Sequence, residues 1–313
     1  MSAALDGSEE QIVDQLQQLF AVNFPAGIEV GIGDDAAVLT GIKSKLVATT
    51  DMAVEDIHFR TAWSSPFQIG AKLATANLAD LYAMGATPKY LLVAAALPKK
   101  LSSDFISELA KGIRSVADRF EVAVIGGDLS QAEKIALSIT ALGDLDSKPI
   151  IRSGAKVGDL IYVTQLPGLS AAGLAILGRG LNRPRYVVDA HLNPKLDAPL
   201  NLIKVATAMC DISDGISVDA GNIAKSSKVD FALDKSLINA ASAFADLAEL
   251  AKELNEDVFD WILNGGEDHF FLAAVNPKDA SDELGIKIGE VIAGNGKVLL
   301  DNHEIKRAGY QHF

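Results

Sequence analysis

Aspartate recurs in this sequence at places where a packed domain has little use for a carboxylate. GIGDDAAV sets Asp34 and Asp35 in a tight glycine turn between apolar stretches, and TTDM puts Asp51 at the end of LVATT. Asp128 follows VAVIGG, and CDISDGIS carries Asp211 and Asp214 just ahead of a helical pattern. Taken singly, each is an ordinary turn former, and Ser213 and Asp214 are also suited to start a helix. Asp80 resists that explanation. Between Pro66 and Met84 the only charged residues are Lys72 and Asp80, and Asp80 shares one helical stripe with Ile69, Leu73 and Ala76. An ionised carboxylate facing inward costs several kcal/mol unless a cation accompanies it.

Asp delivered beside Gly at strand ends, in both halves of the chain, suits a hard divalent ion. Magnesium takes oxygen ligands at about 2.1 Å, and glycine lets backbone approach closely. Gathered without metal, such carboxylates repel by roughly 4 kcal/mol per close pair at an effective dielectric near 20. A phosphate substrate would add to that repulsion, whereas more than one Mg²⁺ reverses both signs and makes the cluster a phosphate receptor. No His or Cys cluster competes, which argues against zinc and copper.

Other chemistries lack their motifs. GIGDDA at 31–36 matches a dinucleotide-binding fingerprint in spacing, but it puts two acids where a pyrophosphate would sit and leads into β-like AAVL instead of a helix. No P-loop, HExxH or GxSxG occurs. The 28 Lys and Arg against 41 Asp and Glu give a net charge of −13, and PKKL and RPR are the largest basic clusters, so no nucleic-acid partner is expected. No apolar run approaches the roughly 20 residues of a membrane span. MSAALDGSEEQ has neither the basic nor the apolar part of a secretory signal, and the lone Cys210 fits a reducing compartment. A cytoplasmic protein is expected.

At 313 residues and 49% hydrophobic content the chain can build two cores. Ser8 and Gln11 read as a capping box for a first helix ending near Pro25, followed by β-like runs at 29–32, 36–39 and 46–50. Ser65 and Pro66 read as N-cap and first residue of a helix that reaches Met84, with Gly85 as its stop. A strand at 87–98, a helix at 103–120, a buried strand at 122–125 and a strand at 135–142 follow. The turn-rich 143–159 marks a domain boundary near residue 148. Further elements are expected at 160–164, 170–177, 200–209, 216–226, 229–233, 240–254, 270–275, 286–292 and 298–300. Both halves are α/β.

At these residues the chain resembles the thiamine-monophosphate kinase family, whose superfamily includes aminoimidazole ribonucleotide synthetase, selenophosphate synthetase and the hydrogenase maturation factor HypE. GIGDDAAVL, TTDMAVEDIHF, NLADLYAMGATPKYL, IGGDLS, RSGAKVGDLIYVT, SAAGLAIL, DISDGIS, GGED and GYQHF follow in the family's order. The resemblance implies an α/β (α+β) fold of the aminoimidazole ribonucleotide synthetase type. Its N-terminal mixed sheet with helices, residues 1–148, would bind ATP and Mg²⁺ and dimerise, and residues 149–313 would form a C-terminal α/β domain. It further implies transfer of the γ-phosphoryl of ATP to thiamine monophosphate, giving thiamine diphosphate, in a homodimer. Asp35, Thr49, Thr50, Asp51, Asp80, Asp128, Asp211 and Asp214 would be the Mg²⁺ ligands, with Asp51, Asp128 and Asp214 central to catalysis. Gly127, Asp128, Arg152 and Ser213 would contact ATP, and His58, Glu267 and Tyr310 the thiamine substrate.

The chain departs from the family pattern at four places. His269 and Phe270 follow GGED where Tyr and Glu are usual, Leu169 replaces an acid after Pro-Gly, Asp197 stands where an arginine is expected, and Asn264 replaces Ser. With no obvious nucleophile and an acceptor that is already anionic, direct in-line transfer is expected. Two alternatives are another ATP-dependent enzyme of the superfamily, such as an aminoimidazole ribonucleotide synthetase, and a non-catalytic nucleotide- or metal-binding module. Selenophosphate synthetase fits less well because Cys210 sits mid-chain, and HypE because GYQHF has no terminal Cys.

Overall fold

A computed structural model describes residues 28–30, 37–39 and 45–309. The expected first helix with its Ser8–Gln11 box, the turn of Asp34 and Asp35, and Tyr310 lie outside the described residues. Strands β1 (Ile28–Val30), β2 (Ala37–Leu39) and β3 (Lys45–Val54) open the first sheet. Helix α1 (Pro66–Ala83), β4 (Thr87–Leu97), helix α2 (Ser103–Arg119), β5 (Ala123–Gln131) and β6 (Ala136–Leu145) complete it. The order is β1-β2-β3-β6-β4-β5, antiparallel except for the parallel β4–β5 pair joined through α2. It is a mixed sheet, as expected.

The start of α1 follows its local chemistry. Ser65 Oγ accepts from the Gln68 N–H at 3.3 Å while Gln68 Oε1 accepts from the Ser65 N–H at 2.9 Å, a complete capping box with Pro66 at the first helical position. At the other end Gly85 takes φ +78°, a left-handed conformation that ends the helix as read from the sequence.

The second half begins with β7 (Leu160–Val163), followed by α3 (Leu169–Gly178), α4 (Arg185–Leu192) and α5 (Leu200–Val205). Next come β8 (Ala206–Asp211), α6 (Ile216–Ser227), β9 (Val229–Leu233), α7 (Lys235–Asn239), α8 (Phe244–Glu253) and α9 (Val258–Asn264). The last strands are β10 (Phe271–Val275), β11 (Ile286–Ala293), β12 (Val298–Leu300) and β13 (His303–Glu304). Their order is β13-β12-β9-β11-β7-β10-β8, antiparallel except for β12–β9.

Burial along β10 explains how the halves join. Phe271, Ala273 and Val275 belong to a hydrophobic cluster shared with α1 and the inner face of the first sheet, whereas Leu272 and Ala274 face a second cluster with α3, α6 and α9. Strand alternation thus sends side chains into both cores, which is why FLAAV is apolar throughout. Helix α1 lies between the two sheets and is buried on most of its surface.

Three expectations need correction. The strand expected to be buried at 122–125 runs from Ala123 through Gly126, Gly127 and Asp128 to Gln131 and is exposed along its length. Among the described residues it is an edge strand, bonded only to β4, and an apolar run reads alike at an edge and in a centre. The single element expected at 200–209 is helix α5 followed by β8, because 206–211 pairs with β10. The span 240–254 holds α8 only from Phe244, after the separate short α7. Helices α4 and α9 were not anticipated.

Candidate active site

Strand β3 and helix α1 form one wall. Thr49 Oγ1 donates to Asp80 Oδ2 at 2.7 Å, so Asp80 turns inward toward β3 as its stripe required. The Asp51 N–H donates to Asn77 Oδ1 at 3.1 Å, and Asn77, fully buried, donates from Nδ2 to the Leu73 carbonyl. Thr50 faces the other side of the sheet, its hydroxyl donating to the Ile139 carbonyl at 3.0 Å beside Ser138 and Thr140. Alternation therefore separates the Thr50 side chain from Thr49 and Asp51. His58 sits in the turn beyond β3, where its Nδ1 accepts from the Val54 N–H at 3.0 Å.

Asp211, at the end of β8, faces Asp51 from the second half. It is 3% exposed, and its Oδ2 lies 3.3 Å from His269 Nδ1. Burial and the charge of Asp211 push the Asp51 carboxyl up to about 6, against the opposing pull of His269. Burial alone would lower the His269 imidazole, but its hydrogen bond to Asp211 and that residue's charge outweigh it and raise it.

The loop after α9 lies along the DISD turn. The Glu267 N–H donates to the Ser213 carbonyl at 2.8 Å and the His269 N–H to the Ile212 carbonyl at 3.0 Å. A Cβ on Gly266 would stand 2.4 Å from the Ser213 oxygen, so only glycine permits this approach. Glu267 and His269 take left-handed φ of 63° and 53°, which sends three successive side chains to different partners. Glu267 meets Lys72 Nζ at 2.7 Å, and His269 meets Asp211. Asp268 accepts from the Gly168 and Ser170 N–H groups at 2.7 and 3.1 Å and so caps α3, whose own N-cap, Gly168, has no side chain. Burial pushes Asp268 up to about 6 despite those two bonds.

Neither Ser213 nor Asp214 caps α6, since Gly215 holds that position without a side-chain bond. Instead the Asp214 N–H donates to Asp219 Oδ2 at 3.1 Å. Asp219 is 3% exposed, and burial together with Asp214 and Asp211 drives its carboxyl well above the usual range, opposed by the charge of Arg152. Arg152 is tied to α6 through its carbonyl, which accepts from Ser227 Oγ at 2.6 Å. Gly309 is pressed against the Asp214 carbonyl, which brings the chain just before Tyr310 to the start of α6.

Asp128 and Gly127 stand apart from this group. Gly127 pairs with Val93, Val93 with Ile139 and Ile139 with Asp51, so three strand spacings, about 14 Å, separate them. Asp128 falls one residue out of that row, beside Ala94. Among the described residues no three His, Cys, Asp or Glu side chains are grouped closely enough to enclose an ion by themselves.

Lys72, Asn77, His191 and Asp219 belong to this site although sequence reasoning did not assign them. Lys72 carried a signal, as the only other charge in α1. At the departures from the family pattern, Asp197 pairs with Arg119 at 2.7 Å and Leu169 opens α3 with Asp268 supplying the cap.

His191, 6% exposed, hydrogen-bonds Ser170 at 3.1 Å. Burial and the charge of Lys72 push its imidazole down to about 4, against the pull of Glu267. A lowered imidazole contributes stability that is complete above the unfolded value of 6.5 and is lost as pH falls toward 4. Urea unfolding at pH 7.5 and 5.5 should therefore show a loss of roughly 1 kcal/mol from this group that His191→Gln lacks. An equal loss in both proteins contradicts the assignment.

Residues 33–145 match the family described as AIR synthase related protein, N-terminal domain. The chain is 37% identical to thiamine-monophosphate kinase of Mycobacterium tuberculosis over 298 residues, 92% of this chain and 87% of that one. It is 32% identical to that of Bacillus subtilis, over 92% and 94% of the two chains. A solved structure described as AaThiL complexed with AMPPCP and TMP superposes with a TM-score of 0.90 at 27% identity, covering 100% of this chain and 99% of that one. The hydrogenase maturation protein HypE shares the fold, with a TM-score of 0.64 at 17% identity over 87% and 90% of the chains. Identity of this degree over nearly the whole length places the chain in the thiamine-monophosphate kinase family, enzymes of the AIR synthase fold.

Proposed function

We propose that the protein phosphorylates thiamine monophosphate to thiamine diphosphate at the expense of ATP, by direct in-line transfer between two phosphates. The observation that carries the reading is that Asp51 from the first half feels the charge of Asp211 from the second, burial first and that charge next pushing the Asp51 carboxyl up to about 6. Such repulsion is what a divalent cation relieves, and the donors around it are hard oxygens, so these residues fit Mg²⁺. Asp51, Asp80, Asp211 and Asp214 with Thr49 would hold several Mg²⁺ ions, joined by Asp35 and by the backbone of Thr50. Bound there, Mg²⁺ would screen donor and acceptor phosphates and absorb charge on the leaving diphosphate.

The chain's own groups do the rest. Arg152 offers a planar fork to phosphate oxygens, with Gly127, Asp128 and Ser213 as further nucleotide contacts. Glu267, His58 and Tyr310 would receive the thiamine moiety, for which a carboxylate and an aromatic ring are suitable neighbours. Asp211 is 3% exposed and Asp51 half-buried, which limits the water that would otherwise compete as acceptor. We read residues 1–148 as the nucleotide-binding and dimerising domain and 149–313 as the second domain.

A homodimer formed through the first sheet is supported by its open face and edge, where Met52, Tyr90, Val124, Ile125 and Leu129 are exposed by 45 to 70%. No helix among the described residues is long and apolar enough to cross a membrane, and a cytoplasmic location accords with the lone buried Cys210. The reading predicts ADP release from ATP that requires both thiamine monophosphate and Mg²⁺. A coupled assay checks it, and nucleotide binding without turnover would instead mark a non-catalytic module.

A further inference from the structure

We propose that Lys72 is a positioning residue for Glu267: its ammonium, brought from the first half of the chain, holds one carboxylate oxygen and leaves the other to receive the cationic ring system of thiamine monophosphate. This rests on the function proposed above. Lys72 Nζ lies 2.7 Å from Glu267 Oε2, and His191 Nδ1 approaches that same oxygen at 3.5 Å. Both contacts therefore fall on Oε2. The Lys72 side chain is 11% exposed and that of Glu267 32%, so the cation is enclosed while the carboxylate stays within reach of a ligand.

The surroundings leave Glu267 little choice of direction. Its left-handed φ of 63° is pinned by the bond from its N–H to Ser213, and His191 is braced by Ser170. Burial would raise the Glu267 carboxyl, but Lys72 and His191 outweigh it and hold it below its usual value. Without Lys72 the main opposition to desolvation is lost and the half-buried Glu267 carboxyl shifts upward, toward a neutral acid whose hydroxyl donor would face the amino group of the substrate's pyrimidine, which itself needs an acceptor. A bridge serving only to join the two halves would act on every substrate and on stability alike.

Steady-state kinetics of Lys72→Met, Lys72→Arg and Glu267→Gln, with either substrate varied, separate these roles. Lys72→Met should raise KM for thiamine monophosphate about 10-fold or more, with kcat and KM for ATP within about 3-fold of wild type. Lys72→Arg should restore most of that loss. Glu267→Gln, which leaves α1 untouched, should give the same selective rise even if Lys72→Met does not fold. A selective rise in both variants supports the proposal. Unaltered KM for thiamine monophosphate in either folded variant, or an equal loss for both substrates with a lowered Tm, overturns it while the wild type remains active. A wild type with no turnover dependent on thiamine monophosphate overturns the functional reading itself, and the proposal with it.

Discussion

Asp51→Asn is expected to lower kcat about 100-fold or more in a protein that folds as well as the wild type. In the proposed mechanism Asp51 supplies charge where phosphate is received, and an amide has the same shape with no charge to hold a cation, so the loss would fall on transition-state stabilisation. Stability should respond in the opposite sense. In metal-free protein the Asp51 carboxyl is raised from 3.8 to about 6, chiefly by burial and then by Asp211. A raised carboxyl contributes stability that is fully present below pH 3.8 and is lost as pH rises through 6. At pH 7.5 the ionised group is therefore a burden of on the order of 2–3 kcal/mol, which asparagine removes. Thermal unfolding without metal should give a Tm at or above that of the wild type. A folded Asp51→Asn enzyme with near-normal turnover would falsify the assignment.

Gly266→Ala should be nearly as damaging without removing any functional group. The new Cβ would stand 2.4 Å from the Ser213 carbonyl oxygen, and backbone cannot yield as the end of a side chain can. The loop must lift from the DISD turn, weakening the bonds from Glu267 and His269 to Ser213 and Ile212. Overpacking of this kind costs about 1–3 kcal/mol, and a displacement of about 1 Å at a reacting site costs roughly 100-fold in rate. We expect kcat/KM to fall about 100-fold with a Tm lowered by a few degrees. Unchanged kinetics would mean that the contact between the two loops has no bearing on the reaction.

What the sequence conveyed follows the range of the physics. The Ser65–Gln68 box and the stop at Gly85 are local chemistry and lie where the residues placed them. Asp80 was legible because a lone acid on an apolar stripe demands a partner, and it has one in Thr49. Asn77 and Asp219 were not, because an amide or acid in a helix looks like surface until another part of the chain, β3 for Asn77 and the DISD turn for Asp219, packs against it. Lys72 stood out as a charge, yet its partner Glu267 is 195 residues away, beyond any periodic signal. The edge position of β5 depends on strand order, which hydropathy does not encode. The 14 Å between Asp51 and Gly127 likewise follows from sheet order alone.

In the proposed reaction, carboxylates from both halves receive cations together with nucleotide. Mn²⁺ titrated into the protein with a non-hydrolysable ATP analogue, followed by electron paramagnetic resonance, counts the ions held per chain. More than one tightly held Mn²⁺ in the wild type, with at least one lost in Asp51→Asn, is the predicted result. Nucleotide bound equally well in excess chelator, with the same manganese count in both proteins, would contradict it.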